Sequence, residues 1–309
     1  MVLTAGKPRI ETMCNICHRN DFTVLYPAGV DQLNQVVRCN GCGLMYANPR
    51  KPADYIEMQA WPDDPDWNLE EHLPQRFEKE RLQVRDFDNS RDLLNRLHPT
   101  RGKVVEVGSS LGFLLDAFRK DGWNVLGIEP DPNASRYAIR KKCIDTINST
   151  LEAAKLASES VDVVVMLHVI EHVPDPIQTL QEIARVLKPG GHLVLETPRY
   201  DTLMFKLLGR RERSLSCDGH IFFFTTETLR QTYTAAGFEL VRLDNTGRSL
   251  TLDRLVYNVG VMSKSKSVQR IAGSLSRRLR LNEMSFTINV RDMQRVCLIK
   301  PVSESRAHS

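Results

Sequence analysis

Four of the seven cysteines in this 309-residue sequence stand in two Cys-x-x-Cys pairs, Cys14-Asn15-Ile16-Cys17 and Cys39-Asn40-Gly41-Cys42, with 21 residues between them. A two-residue gap lets both sulfurs of a turn converge on one ion at about 2.3 Å, and two such turns complete a tetrahedral shell for Zn2+. Gly41 and Gly43 suit the tight turns this requires. The alternative is a redox dithiol, but that normally appears once, near a helix start in a βαβ setting, which neither pair has. Four thiolates leave no coordination position for a water nucleophile, so the expected zinc is structural rather than catalytic. It also supplies folding energy that a ribbon over residues 1–50 is too short to obtain from its own core.

A second set of candidates clusters where strands give way to turns. Lys103-Val104-Val105-Glu106-Val107-Gly108 is a β-branched run ending in glycine, followed by Ser109, Ser110, Leu111 and Gly112 and then an amphipathic stretch from Phe113 to Asp121. The next strand, Asn124 to Glu129, closes on an acidic residue. A carboxylate at that position accepts hydrogen bonds from ribose hydroxyls, and glycines in the first turn let the backbone approach a ligand. A dinucleotide would use similar geometry, but its GxGxxG pattern fails, because Ser110 and Phe113 stand two and five residues beyond Gly108.

Histidines form the third set. Asp218-Gly219-His220-Ile221-Phe222-Phe223-Phe224-Thr225 puts a histidine near an aspartate, beside aromatics and before a helix capped by Thr225 or Thr226. His220 is a candidate general base with Asp218 beside it. The alternative is that His220 packs against the Thr226–Ala236 helix while the phenylalanines are core. His168 follows the fourth strand of the unit. His172 lies four residues on, but the HExxH metal pattern fails because Glu171 directly precedes the second histidine. His172 is expected to pack and bond locally.

Alternating elements position these residues. Pro74 to Leu97 reads as one helix, broken or continuous, and Pro132 to Lys142 and Ile177 to Leu187 read as further helices. Strands are expected at Lys103–Val107, Asn124–Glu129, Ile144–Ile147, Val161–Leu167 and His192–Glu196, with Phe238–Leu243 and Gln294–Lys300 as a final antiparallel pair. The alternation predicts an α/β fold whose parallel sheet carries helices on both faces and binds ligands outside the carboxyl ends of its strands.

Glu106 to Gly112 resembles the first motif of the Rossmann-like S-adenosylmethionine-dependent methyltransferases, with Ser110 in the place of the middle glycine. Gly127-Ile128-Glu129-Pro130-Asp131 resembles their ribose-binding strand end, and Asp162 to Leu167 their fourth strand. His168 to Pro176 is similar to the loop and helix that follow, and Leu187 to Gly191 to the turn before the fifth strand. The resemblance spans Thr100 to Pro301 and implies a seven-stranded, mostly parallel sheet with S-adenosylmethionine as cofactor. It implies that Glu106 orients the methionine amino group and that Gly108 and Gly112, with Ser109, Ser110 and Phe113, shape the turn that admits it. Glu129 would hold the ribose, Ser149 and Leu151 within Asn148–Leu151 would flank the adenine, and His168 would face the cofactor. A narrower resemblance is to bacterial methyltransferases with an N-terminal zinc ribbon, including those acting on nucleotide-linked deoxysugars. Cys39 to Arg50 is similar to their second knuckle, and His220 falls where they carry a histidine in the catalytic region, although Gly219 stands where they carry glutamate. The implied activity is methyl transfer to oxygen or carbon of a small or carrier-linked metabolite, with a sugar or sugar derivative expected first. Polyketide, quinone or acyl-carrier substrates are the alternative, as is a non-catalytic zinc-ribbon or cofactor-binding protein.

Composition sets the remaining bounds. With 41% hydrophobic and 26% charged residues the chain can form cores, and a formal charge of +4 is too small and dispersed to predict nucleic-acid binding. The apolar runs fall short of the about 20 residues a membrane-spanning helix needs, and a cytoplasmic protein is expected. The four prolines between Asn48 and Asp66 predict a connector, carrying Tyr55, Trp61 and Trp67, within a connector and helical cap over 51–99. An insertion over 244–292 is expected to form a lid, basic and amphipathic over 264–281, able to grip a phosphate-bearing acceptor, to contact an anionic membrane peripherally or simply to cover its own domain. Residues 302–309 are expected to be a disordered tail.

Overall fold

The computed structural model of the chain describes residues 9–29, 34–51, 74–209, 212, 215, 219–251 and 285–302. The connector aromatics Tyr55, Trp61 and Trp67, the candidate Asp218, the 264–281 stretch and residues 303–309 lie outside the described residues.

The chain opens with three antiparallel strands, β1 (Phe22–Tyr26), β2 (Val36–Cys39) and β3 (Met45–Ala47). Helices α1 (Pro74–Asp86) and α2 (Asp88–Leu97) follow. The periodic stretch over 74–97 is therefore two helices, separated at Phe87. Its fully buried ring packs edge-on to Phe118 with ring centroids 6.0 Å apart, so core burial takes the position at which a straight helix would have continued.

Five parallel strands come next: β4 (Lys103–Val107), β5 (Asn124–Ile128), β6 (Thr146–Ile147), β7 (Val161–Leu167) and β8 (Leu187–Pro198). Between them run α3 (Phe113–Lys120), α4 (Pro132–Lys142), α5 (Leu151–Ala154) and α6 (Pro176–Val186). Two of these helices start alike: Asp131 and Asp175 accept hydrogen bonds from N–H groups of the first turn, and the proline after each needs no N–H partner there. In β7, Val161 and Val163 to Leu167 are buried, as expected of a central strand covered on both faces.

After α7 (Leu203–Leu208) the two-residue β9 (Phe222–Phe223) leads into α8 (Thr226–Ala235), where Thr225 and Thr228 form a reciprocal capping box. The antiparallel pair β10 (Glu239–Thr251) and β11 (Ser285–Ile299) completes the large sheet, in the order β10-β11-β8-β7-β4-β5-β6. Both strands run beyond the expected limits, so the described parts of the 244–292 insertion extend this ribbon of sheet. Strand order reverses between β4 and β7, and the crevice at their carboxyl ends is the expected ligand position.

The small sheet is not closed within residues 1–50. Its order is β1-β2-β3-β9, with Met45 opposite Phe223 and Tyr46 opposite Phe222. Tyr46, Phe223 and Phe224 are almost completely buried, so the phenylalanine run joins the N-terminal ribbon to the large sheet.

One buried ion pair ties the cap helices to the sheet. Arg295 of β11 donates from Nε to Glu196 of β8 at 2.7 Å, and from Nη1 to the Asp86 carbonyl and Ser90 Oγ at 2.9 and 3.1 Å. Its guanidinium lies 4.8 Å from the Phe87 ring centroid. Removing one partner would leave the other charge buried and unpaired, so Arg295→Ala should lower stability by about 3–5 kcal/mol in urea denaturation at neutral pH; an unchanged midpoint would refute this role.

Candidate active site

The turn after β4 combines three left-handed residues, Gly108 (φ 75°), Ser110 (φ 46°) and Gly112 (φ 75°). A side chain at Gly108 would start 2.4 Å from Val169 Cγ2, so glycine is required there by space as well as by φ. Ser110 occupies a conformation that costs a non-glycine residue free energy, and its hydroxyl is held from two sides. It donates to Glu80 Oε1 at 2.7 Å and accepts from Arg76 Nη2 at 2.5 Å. Leu111 N–H donates to Glu80 Oε2 at 3.2 Å, and Arg76 also pairs with Asp131 at 3.2 Å. The cap helix α1 is thus latched onto the turn by Arg76 and Glu80. Neither was foreseen, because charged residues on a helix read as a solvated face.

A cavity of about 570 Å³ opens beside this turn, within the usual range for a small-molecule site. All the expected cofactor residues except Gly112 line it: Glu106, Gly108, Ser109, Ser110, Phe113, Glu129, Ser149, Leu151 and His168. Gly112 instead caps α3. Arg76 and Glu80 join the lining from α1, and His172 from the loop after β7.

The electrostatics of the wall are lopsided. Burial pushes the Glu106 carboxyl well above its ordinary range, with Glu80 and Glu129 adding repulsion. Glu80 and Glu129 are also raised, again mainly by burial. Glu129 accepts from Ser110 N–H at 2.7 Å and Asp131 N–H at 2.9 Å. Glu106 Oε2 and Ser109 Oγ, by contrast, are buried with no hydrogen-bond partner among the described residues. Three carboxyls raised by burial and the unpartnered Glu106 oxygen suit a cation that carries N–H donors, on a wall that Arg76 and Lys79 also line.

A histidine cluster forms the other end of the cavity. His168 sits in the left-handed region (φ 57°), with Nε2 3.2 Å from Glu196 and Nδ1 3.8 Å from Glu171. Burial disfavours the imidazolium, but the two carboxylates outweigh it and hold the His168 pKa above its usual value. Burial likewise opposes charge on Glu171 and Glu196, yet His168 beside both, with Arg295 for Glu196, brings each down to about 2.

His172 does more than the local packing its position in the sequence suggested, since it lines the cavity and its Nδ1 lies 2.8 Å from the Gly219 carbonyl. The His172 and His220 ring centroids are 4.6 Å apart, and His220 Nδ1 is 3.4 Å from Tyr200 Oη. His220, the candidate base, stands off the wall of this cavity behind His172.

Backbone bonds fix that arrangement. Ile221 N–H donates to the Glu171 carbonyl at 2.8 Å, while the Ile221 carbonyl accepts from Ala47 N–H of β3 at 2.8 Å. One residue therefore clamps the segment carrying His220 between the loop after β7 and the ribbon. At the far end of that ribbon, Sγ atoms of Cys14, Cys17, Cys39 and Cys42 all lie within 4.8 Å of one another, with Cys14 3.3 Å from Cys42 and Cys17 3.4 Å from Cys39. Four convergent sulfurs at this spacing fit a tetrahedral metal shell.

The chain is similar to known methyltransferases. A family model described as a methyltransferase domain matches residues 76–243. A ubiquinone biosynthesis O-methyltransferase of Vibrio cholerae is 29% identical over 161 residues, 46% of this chain and 66% of that protein. One of Aliivibrio fischeri is 35% identical over 101 residues, 31% of this chain and 43% of that protein. The chain thus spans between about two-fifths and two-thirds of these relatives. Among solved structures, a SAM-dependent methyltransferase of Thermotoga maritima aligns over 76% of this chain and 99% of its own, at 22% identity and a TM-score of 0.45.

If the ribbon clamps the histidine segment through Ile221, opening it should be felt there. In Cys14→Ser/Cys17→Ser, hydrogen exchange should accelerate at the Ala47, Ile221 and Phe222 amides while β4 and β7 stay protected. Unchanged protection at Ile221 would show that the large sheet alone holds it.

Proposed function

Because the chain belongs to the methyltransferase-domain family, we propose that it transfers a methyl group from S-adenosylmethionine to an oxygen of a small or carrier-linked acceptor, with a structural Zn2+ in its N-terminal ribbon. The observation that carries this reading is the buried Glu106, with one oxygen unpartnered, between Glu80 and Glu129. The cofactor bears an ammonium and a sulfonium, so it brings positive charge and N–H donors to the unpartnered Glu106 oxygen. When bound, it supplies an electrophilic methyl group on sulfur.

The chain's own residues then divide the work. Glu106 receives the ammonium, and Arg76 at the same wall is placed for the cofactor's carboxylate. Glu129 exchanges its backbone donors for ribose hydroxyls, and Ser149 and Leu151 border the adenine. α1 closes the site and keeps water from it, which strengthens every electrostatic contact inside. Transfer is an in-line displacement, so positioning the acceptor and removing its proton are the remaining requirements. The histidine end of the cavity, with His168 and His172 on its wall and His220 behind, is where that occurs.

The relatives shift the acceptor reading. Two are O-methyltransferases of ubiquinone biosynthesis, which supports an oxygen nucleophile and favours a quinone-type aromatic acceptor over the sugar expected first. The four sulfurs support zinc through their number and spacing.

Calorimetric titration with S-adenosylmethionine and S-adenosylhomocysteine tests the reading. Glu106→Gln should weaken S-adenosylmethionine by about 10- to 100-fold, the equivalent of about 1.5–3 kcal/mol for a hydrogen bond to a charged group. Affinity in the wild type should fall as pH drops through the raised Glu106 pKa, because only the ionised carboxyl attracts the cation, and the variant should lose that dependence. A folded wild type that binds neither compound would overturn the proposal.

A further inference from the structure

Beside the cavity, His172 belongs to a cluster that offers more than a candidate base. Glu171, His172 and His220 each bring a ligand-capable atom to within 4.8 Å of the others. Two histidines and one carboxylate form a common ligand set for divalent transition ions that keep open positions for substrate. Here the surrounding contacts also orient the two residues from the loop after β7 for that task.

His172 Nδ1 lies 2.8 Å from the Gly219 carbonyl, which can only accept, so Nδ1 is the donor and Nε2 is the nitrogen left to ligate. Histidine ligands are typically set in this way, with the second nitrogen bonded to a backbone carbonyl. Glu171 Oε2 accepts from Thr197 Oγ1 at 3.0 Å, while its Oε1 has only the long 3.8 Å approach of His168. Glu171 is 1% exposed and therefore poorly solvated. The segment carrying His220 is pinned to the same loop by the bond from Ile221 N–H to the Glu171 carbonyl. Gly219 is part of the design, since a Cβ there would sit 2.9 Å from His172 Nδ1.

We propose that Glu171, His172 and His220 bind a divalent transition cation, separate from the ribbon zinc, that takes an acceptor hydroxyl into its open coordination positions. This role rests on the methyltransferase reading. The bound ion lowers the pKa of the hydroxyl, whose proton passes to solvent. The oxygen's electron pair then forms the O–CH3 bond as the S–CH3 bond breaks, and the sulfonium leaves as a neutral thioether. His172 lines the cofactor cavity and so sets this ion beside it.

The test is titration of the zinc-loaded full chain with Co2+, followed by calorimetry and visible absorption, with S-adenosylhomocysteine binding measured on the same samples. Uptake of one Co2+ per chain is expected, with nitrogen and oxygen coordination bands and no sulfur-to-cobalt charge transfer. Glu171→Gln and His172→Gln should weaken uptake about tenfold or more. Gly219→Ala, which removes no ligand, should also weaken it by displacing His172. Wild type that binds S-adenosylhomocysteine but takes up no Co2+ beyond the ribbon metal would overturn the proposal, as would equal uptake by all three variants. Co2+ uptake without S-adenosylhomocysteine binding would instead count against the methyltransferase reading and uphold the cation site.

Discussion

Burying Glu80, Glu106 and Glu129 around one turn is the constraint on which the rest of this structure depends. Each carboxyl is disfavoured as an anion by burial, and the guanidinium of Arg76 bonds Ser110 and Asp131 as well as approaching Glu80. The folded chain tolerates the arrangement because β4 and β5 run parallel side by side and bring Glu106 and Glu129 to the same end of the sheet. Glu80 is compensated by Arg76 and Glu129 by two backbone N–H groups, whereas Glu106 Oε2 has no partner among the described residues. The left-handed Ser110 joins the turn to the latch from α1.

The opposite end of the cavity is balanced internally. His168 stands between Glu171 and Glu196, and Arg295 neutralises Glu196 while holding the helix break at Asp86. The same guanidinium thus connects the cap helices, the last strand and the residue facing the cavity. Because these charges are matched, this end can be preorganised without a ligand, whereas the glutamate end cannot. The ribbon acts on the balanced end: its contact with the large sheet runs through β9 and Ile221, and Arg50 at its exit donates to the Pro174 carbonyl at 3.1 Å. A small ribbon positioned in this way braces the segment that carries His220.

Much of this was legible in the sequence, for identifiable reasons. Alternating apolar runs and Asp-Pro helix starts mark β4 to β8 and α4 and α6, because local hydrogen bonding and periodicity suffice to specify them. The paired cysteines and the Glu106–Glu129 spacing were equally plain, since chemistry restricts those residue types to a few uses. Long-range pairing was not legible. β9 is two residues long and finds its partner about 175 positions away in β3, so Phe222 and Phe223 read as generic core. Arg76 and Glu80 were missed because only tertiary packing turns that face of α1 inward. His172 was judged by its failed HExxH spacing, whereas its neighbours in space, Gly219 and His220, come from a distant loop. Asp218 lies outside the described residues.

The central claim is that burial beside Glu80 and Glu129 raises the Glu106 pKa and that a bound cation lowers it again. Measuring proton release during S-adenosylmethionine binding, from calorimetry in buffers of different ionisation enthalpy, tests it most directly. If a cation lowers the Glu106 pKa on binding, the complex should release a fraction of a proton that grows as the pH is lowered toward the raised Glu106 pKa, and Glu106→Gln should abolish that release. Binding with the same heat in every buffer across the pH range would mean that the cation does not change the Glu106 pKa, and would contradict the account.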